Sequence, residues 1–355
     1  MPEVLSVGGS ATLERGRGDM SESNFVKYYS VADRTICIRG ADEPVLNLAH
    51  GFLSGYYFTA TSSSGTGSAV HLIELHKTIP PLLPASDQGF EIEDGRCFMS
   101  GDQIVLEVNG STIVVGALET QRTDIWLSET TAERHALAVN NVILYAVQAA
   151  LRRAGLFQFH AACVLPDGGQ KAMLLVGDSG SGKSTLTVAL LQNGWSFVSD
   201  DNLLLSESPD GIEAWALRRY FTFDQATLRD CKLTDFPDSI GGRVPGKLEK
   251  FRFYARQAFP EKFVDRCLPS AILFPTISGE PKSHIEPLKQ LDALARLIRQ
   301  CPWATCDAAA APLHLQALSK LAKQTRSYKL FAGRDIIESP AAVSRLIKEQ
   351  PDILS

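Results

Sequence analysis

No stretch of the 355 residues is apolar for long enough to span a bilayer, so no membrane-spanning helix is expected within them. A basic excess is also missing. The 35 Lys and Arg are outnumbered by 40 Asp and Glu, for a net charge of -5. The chain therefore lacks the field that would draw it to nucleic acid or an anionic membrane, and neither is an expected partner. No CxxC pair occurs. The seven cysteines (37, 97, 163, 231, 267, 301 and 306) are odd in number and dispersed, so zinc and redox motifs are unsupported. They read as buried thiols of a reducing compartment. The N-terminus lacks the charged-then-apolar pattern of a secretion signal, and cytoplasm is the expected location. Internal repeats and an LSGGQ-like signature are absent too, the latter arguing against a transporter-type ATPase. What remains is an ordinary globular balance, 45% hydrophobic and 21% charged. The length predicts two domains, or one large α/β domain with an appended lobe.

Residues 1–24 read as a flexible leader, rich in Gly, Ser, Glu and Arg, without a sustained apolar period. Residues 25–129 are strand-like and predict a β-rich N-terminal lobe. Within it, runs at 35–38, 103–108 and 111–115 are β-rich, and Asn109-Gly110 between the last two is a hairpin signal. His50, His71 and His76 are scattered and read as locally paired or solvated. Residues 130–355 alternate helix and strand signals, an α/β pattern. A helix is predicted over 132–154, with Arg152 and Arg153 complementing its dipole and Gly155 ending it. Strands are predicted at 156–165, 172–176, 195–199, 271–274 and 328–331. Further helices are predicted at 184–192, 288–299, 313–323 and 341–348.

The most specific motif is Gly177-Asp178-Ser179-Gly180-Ser181-Gly182-Lys183-Ser184, a complete G-x-x-x-x-G-K-S between a buried strand and a helix. Glycines let successive backbone N–H groups curl toward phosphate oxygens, and the helix start adds its positive dipole end. Lys183 is placed to neutralise β- and γ-phosphates, and the Ser184 hydroxyl to ligate Mg²⁺. The expected ligand is Mg-ATP, with Thr185 completing the nucleotide set. A second strand ends at Asp200-Asp201. If it lies beside the strand feeding the loop, both carboxylates reach the phosphates, one for the metal and one for a hydroxyl proton. The competing reading is an ordinary Asp-Asp-Asn turn. His160 lies on the preceding strand, which the turn at Asp167-Gly168-Gly169 would pair antiparallel with the loop strand.

The stretch Phe159-His160-Ala161-Ala162-Cys163-Val164, the loop from Gly177 to Ser184, and Ser199-Asp200-Asp201-Asn202 together resemble the catalytic core of the HPr serine kinase/phosphorylase family. That family shares its nucleotide-binding fold with phosphoenolpyruvate carboxykinase. The resemblance is tight over 157–205 and does not reach the N-terminal lobe. It implies a mixed-sheet P-loop core, with Asp200 as the base, Asp201 and Ser184 attending the metal, Lys183 and the loop amides holding phosphates, and His160 near the transferred group. Two departures stand out. Thr185 replaces the family's Glu, and the Arg-Gly-rich signature tied to phosphorylase activity has no clear counterpart, Ala216-Leu217-Arg218-Arg219-Tyr220 standing in that region. These departures from the family pattern lead to the expectation of a kinase running forward only.

The expectation is an ATP-dependent kinase acting on a hydroxyl, serine foremost, of a protein, peptide or small molecule, with a homo-oligomer as a family-level expectation. The alternatives are a small-metabolite kinase, whose Asp after the loop helix grips substrate, and a non-catalytic nucleotide-binding regulatory module. The basic segment Arg243-Val244-Pro245-Gly246-Lys247-Leu248-Glu249-Lys250-Phe251-Arg252 reads equally as a phosphate clamp, a dock for an acidic substrate, or a solvated loop. Arg218 and Arg219 are weaker candidates.

Overall fold

The computed structural model describes residues 25–61, 70–82, 89–92, 94–128, 136–169, 171–244, 247–339, 341–350 and 352–353. The expected leader (1–24) and the first residues of the helix expected at 132–154 lie outside the described residues.

The N-terminal part comprises β1 (Phe25–Val31), β2 (Arg34–Gly40), α1 (Glu43–Leu53), β3 (Thr59–Thr61), β4 (Val70–His76), β5 (Gly89–Ile92), β6 (Gly95–Ser100), β7 (Gln103–Val108), β8 (Ser111–Val115) and β9 (Arg122–Trp126). Its strands form one nine-stranded sheet in the order β3-β1-β2-β4-β9-β8-β7-β6-β5. The hairpin signal holds: Asn109 and Gly110 both take positive φ, 50° and 77°, the twist that a two-residue connection between β7 and β8 requires. α1 had no counterpart in the sequence reading. Asp42 caps it by accepting from the Val45 N–H at 3.2 Å, and Pro44 sits in the first turn, where no donor is lost. On β4 and β9, Glu74, His76 and Asp124 are tied up with Arg39 and Arg122, a cross-strand ion-pair ladder.

α2 (Ala136–Arg153) ends as expected at Gly155, with φ of 76° and the Leu156 N–H returning to the Leu151 carbonyl. It packs against the lobe's sheet. Val142, Ile143, Ala146 and Val147 share one buried cluster with Ile36, Leu46, Ile104 and Ile113 of the lobe. A sheet with one apolar face needs a cover, and α1 and α2 supply it.

The second part begins with β10 (Phe157–Leu165), β11 (Lys171–Val176), α3 (Lys183–Gln192), β12 (Ser196–Ser199), β13 (Asn202–Ser208) and β14 (Gly211–Ala216). Next come β15 (Phe221–Asp224), α4 (Gln225–Asp230), β16 (Ile240–Val244), β17 (Lys247–Phe253) and α5 (Ala255–Ala258). It ends with β18 (Arg266–Ile277), β19 (His284–Leu288), α6 (Gln290–Arg299), α7 (Trp303–Cys306), α8 (Ala311–Gln324), β20 (Arg326–Ala332), α9 (Arg334–Glu338) and α10 (Ala341–Lys348). The architecture is mixed α/β. β10 is antiparallel to β11 and β13, and β11 is parallel to β18. Hydrogen bonding therefore closes a circuit β11-β10-β13-β14-β18, extended by β20 and β19. β11 is buried on both faces, which explains its unbroken run Ala-Met-Leu-Leu-Val. One expectation is corrected. β12, which ends just before the two aspartates, pairs with β10 and not with the loop strand β11. Among the described residues no helix is long and apolar enough to cross a membrane.

Arg152 and Arg153 are buried against Asp307, at 3.4 and 3.0 Å. Burial, then the nearby Arg153, pushes His71 down to about 4. Burial, then Arg152, does the same to His314, with Asp307 opposing. Below a pH of about 6.5 the unfolded chain takes up protons on these histidines that the folded chain refuses until about 4. Stability should therefore fall as pH falls through that window, by up to about 1.4 kcal/mol per pH unit per histidine. Urea midpoints at pH 7.5, 6 and 5 check this, and His314→Leu should flatten the acid limb. An unchanged slope in that variant would remove His314 from the explanation.

Candidate active site

β11 delivers Gly177 to the rim of the sheet, where the chain must turn sharply into α3. Gly180 and Gly182 take φ of 84° and 91°, conformations that only glycine adopts without strain. Gly182 is the N-cap of α3 and offers no side chain, so the N–H groups of the first turn stay directed into the loop. Lys183 is only 6% exposed, and its Nζ donates to the carbonyls of Gly177 at 2.6 Å and Asp178 at 3.1 Å. Burial holds its pKa below the usual lysine value, against the pull of Asp201, Asp200 and Asp178.

Although β12 is not adjacent to β11, β10 between them carries both ends to the same edge. Asp200 is 2% exposed; its Oδ2 accepts from the Ser184 Oγ at 3.3 Å, and Arg218 lies 3.6 Å from its other oxygen. Burial pushes the Asp200 carboxyl up to about 7, Arg218 opposing and Asp201 adding to the rise. Asp201 is more open. Its two oxygens meet His160 Nδ1 and an Arg218 Nη, each at 2.9 Å. Burial works to raise Asp201, but the His160 hydrogen bond and the charges of Arg218, His160 and Lys183 outweigh it and hold this carboxylate well below the usual range. Two neighbouring carboxylates thus sit in opposite electrostatic states, the arrangement that lets them divide a task.

His160, Ser179, Gly180, Gly182, Lys183, Ser184, Thr185, Asp200 and Asp201 all line one cleft of about 400 Å³. Gly177, Asp178 and Ser181 lie on the outer side of the loop, around a second cavity. The Ser184 hydroxyl and the Asp200 carboxylate, 3.3 Å apart, are both hard oxygen donors of the kind Mg²⁺ prefers, and the two together could hold it.

Arg218 is the residue that the sequence undervalued. Its side chain is 11% exposed, bridges both aspartates and stacks on Tyr220 at 5.1 Å. The N-terminal lobe reaches it through a backbone bridge from Tyr56. Arg219 turns away, donating to the Tyr56 carbonyl and stacking on Tyr57. From the basic segment, Lys250 reaches the cleft, Arg252 lies over Tyr220, and Arg243 lies over Phe251. Pro245 and Gly246, and the Lys247 side chain, lie outside the described residues. A signal for Arg218 was present. Ser208-Pro209-Asp210-Gly211 is a turn sequence, and the β13–β14 register, Leu203 opposite Ala216, continued two residues outward sets Arg218 opposite Asp201.

No family model and no curated protein matches the chain. Among solved structures, the Hpr(Ser) kinase/phosphatase from Coxiella burnetii is similar over 55% of this chain and 95% of its own, at 13% identity and a TM-score of 0.28. That likeness is too loose to transfer any residue's role.

Proposed function

We propose that the chain is an ATP-dependent kinase, of the HPr-kinase-like P-loop type, that transfers the γ-phosphoryl group to a hydroxyl, serine foremost, of a protein or peptide in the cytoplasm. The observation carrying this reading is the convergence of Lys183 and Ser184 with Asp200, Asp201, His160 and Arg218 in one cleft. The loop amides and Lys183 bind the phosphates, the ammonium having a third N–H beyond the two it gives the Gly177 and Asp178 carbonyls. Ser184 would help hold Mg²⁺, which when bound would supply charge neutralisation at the transferring group.

The contacts favour a different division of labour from the one expected on resemblance. Asp200, buried beside the Ser184 hydroxyl, suits the metal, whose charge would keep it ionised. Asp201 and His160, with side chains 24% and 36% exposed, are open to an acceptor. The acceptor oxygen bonds to the γ-phosphorus, the bond to the bridging oxygen of ADP breaks, and the hydroxyl proton passes to the Asp201–His160 pair. Arg218 holds Asp201 in place from the other side.

The test is incubation with γ-labelled ATP, Mg²⁺ and a degenerate serine-peptide library, with an alanine library as control. Label is expected in the serine library alone. Nucleotide binding with no transfer would favour a regulatory module, and transfer only to small polyols would favour a metabolite kinase.

A further inference from the structure

The outer side of the loop opens into a groove that the mechanism above does not use. It is a cavity of about 430 Å³ lined by Asp178, Thr276, Ile277, Arg296, Arg299 and Gln300, and it shares Ser179, Gly180 and Ile277 with the catalytic cleft. The two spaces thus meet over one rim. Which phosphate lies at that rim follows from Lys183. The Nζ of a loop lysine attends the β- and γ-phosphates, and here it rests on the carbonyls of Gly177 and Asp178, at the start of the loop. The side of Thr185, beyond Lys183 and Ser184, is left for the α-phosphate and nucleoside. The groove therefore opens at the γ-phosphate end, where an acceptor must enter.

Its chemistry is specific. Arg296 and Arg299 lie one turn apart on α6 and both line the groove. Among the described residues neither is in an ion pair. The Arg296 guanidinium lies over the Phe274 ring, 5.5 Å from its centre, which fixes it without neutralising it. The same two arginines line an adjoining groove with Lys329, so the positive track runs on beyond the loop. Two acids line this track. Asp178 is engaged by Gln300 Nε2 at 2.7 Å, and Asp292 lies in the outer groove. Basic residues in the last turn complement a helix dipole, but that would not require them to border the loop. At the rim itself Ile277 is 62% exposed, an uncovered apolar contact between the two spaces. In a chain of net charge -5, this pairing of cations and an apolar rim is complementary to an anionic segment.

We propose that this groove docks the phosphoryl acceptor, and that the acceptor is a peptide with acidic residues beside its target hydroxyl. The inference rests on the kinase reading. The target hydroxyl crosses the Ser179–Gly180 rim beside Ile277, while flanking carboxylates pair with Arg296 and Arg299 and, farther out, Lys329.

Two readouts separate this inference from the kinase reading. In the first, serine peptides flanked by Asp/Glu, by Lys or by neutral residues are compared for label from γ-labelled ATP. In the second, a fluorescein-labelled acidic serine peptide is titrated with the full chain and Mg-ADP, followed by anisotropy, which needs no catalysis. Acidic peptides should be favoured over Lys peptides by at least tenfold. Arg296→Gln/Arg299→Gln should weaken anisotropy binding by tenfold or more, with ATP affinity changed by less than about twofold. Arg299→Glu alone, at an exposed position, should reproduce much of that loss if the double variant folds poorly. Acidic-peptide binding unchanged in the folded variants, or transfer without acidic preference, would overturn the inference and leave the kinase reading standing. Binding lost in the variants with no transfer by the parent would support the groove and count against the kinase.

Discussion

Lys183→Ala is expected to weaken Mg-ATP binding by at least tenfold, about 1.4 kcal/mol or more, and to reduce phosphoryl transfer further still. The ammonium is almost fully buried and in contact only with loop carbonyls and the aspartates' field, so its positive charge is poorly solvated and available to an incoming phosphate. No other cation occupies the loop itself. Arg218 is committed to Asp200 and Asp201. Truncation would also leave the Gly177 and Asp178 carbonyls without their donor, so a modest loss of loop order is expected as well. Calorimetry on variants whose thermal unfolding is unchanged separates the two effects. Parent-like affinity in a folded variant would mean that the loop does not bind phosphates through this lysine.

The second large effect separates the carboxylates. Asp200→Asn is expected to abolish the Mg²⁺ dependence of nucleotide binding. Asp201→Asn is expected to leave binding within a few-fold while slowing transfer by roughly 10²-fold or more. The stability of the two variants should also diverge. Asp200 has its folded pKa raised, so the folded state holds a proton that the unfolded state releases. Stability falls as pH rises from the ordinary carboxylate range to about 7, and an uncharged Asn removes that penalty. Asp201 has its folded pKa depressed, so its stabilisation is present above the ordinary carboxylate range and is lost as pH falls through the folded value. Asn forfeits that stabilisation at pH 7 and leaves Arg218 and His160 facing a neutral group. Melting at pH 7.5 should therefore rise or hold for Asp200→Asn and drop for Asp201→Asn. If Asp201→Asn instead removes the Mg²⁺ dependence while Asp200→Asn only slows transfer, the roles revert to those implied by the family resemblance.

The loop was legible because its constraints are local. Gly180 and Gly182 must take positive φ, a buried strand must enter and a helix must leave, and all three are written in consecutive residues. The Asn109-Gly110 hairpin and the Gly155 helix end were legible for the same reason. Arg218 was half legible: a hairpin register places it, but only once the Pro209-Asp210-Gly211 turn is recognised and counted from. The helix at Glu43–Leu53 was hidden by its setting, eleven residues among strands, with only Asp42 and Pro44 marking its start.

By itself the sequence determined the strand–loop–helix segment, the nearness of His160 to its edge through a short antiparallel turn, and the alternation of helix and strand in the second part. Each depends on residues a few positions apart, where backbone geometry leaves few choices. Only the tertiary structure decided which strand separates the aspartates from the loop, which carboxylate faces Ser184, and that α2 completes the lobe's core. It also brought Arg296 and Arg299, more than a hundred residues after Gly177, to the outer rim of the loop. Those placements depend on which strands pair and which faces are covered. Such choices are made by burial summed over the whole sheet, and no local pattern encodes them.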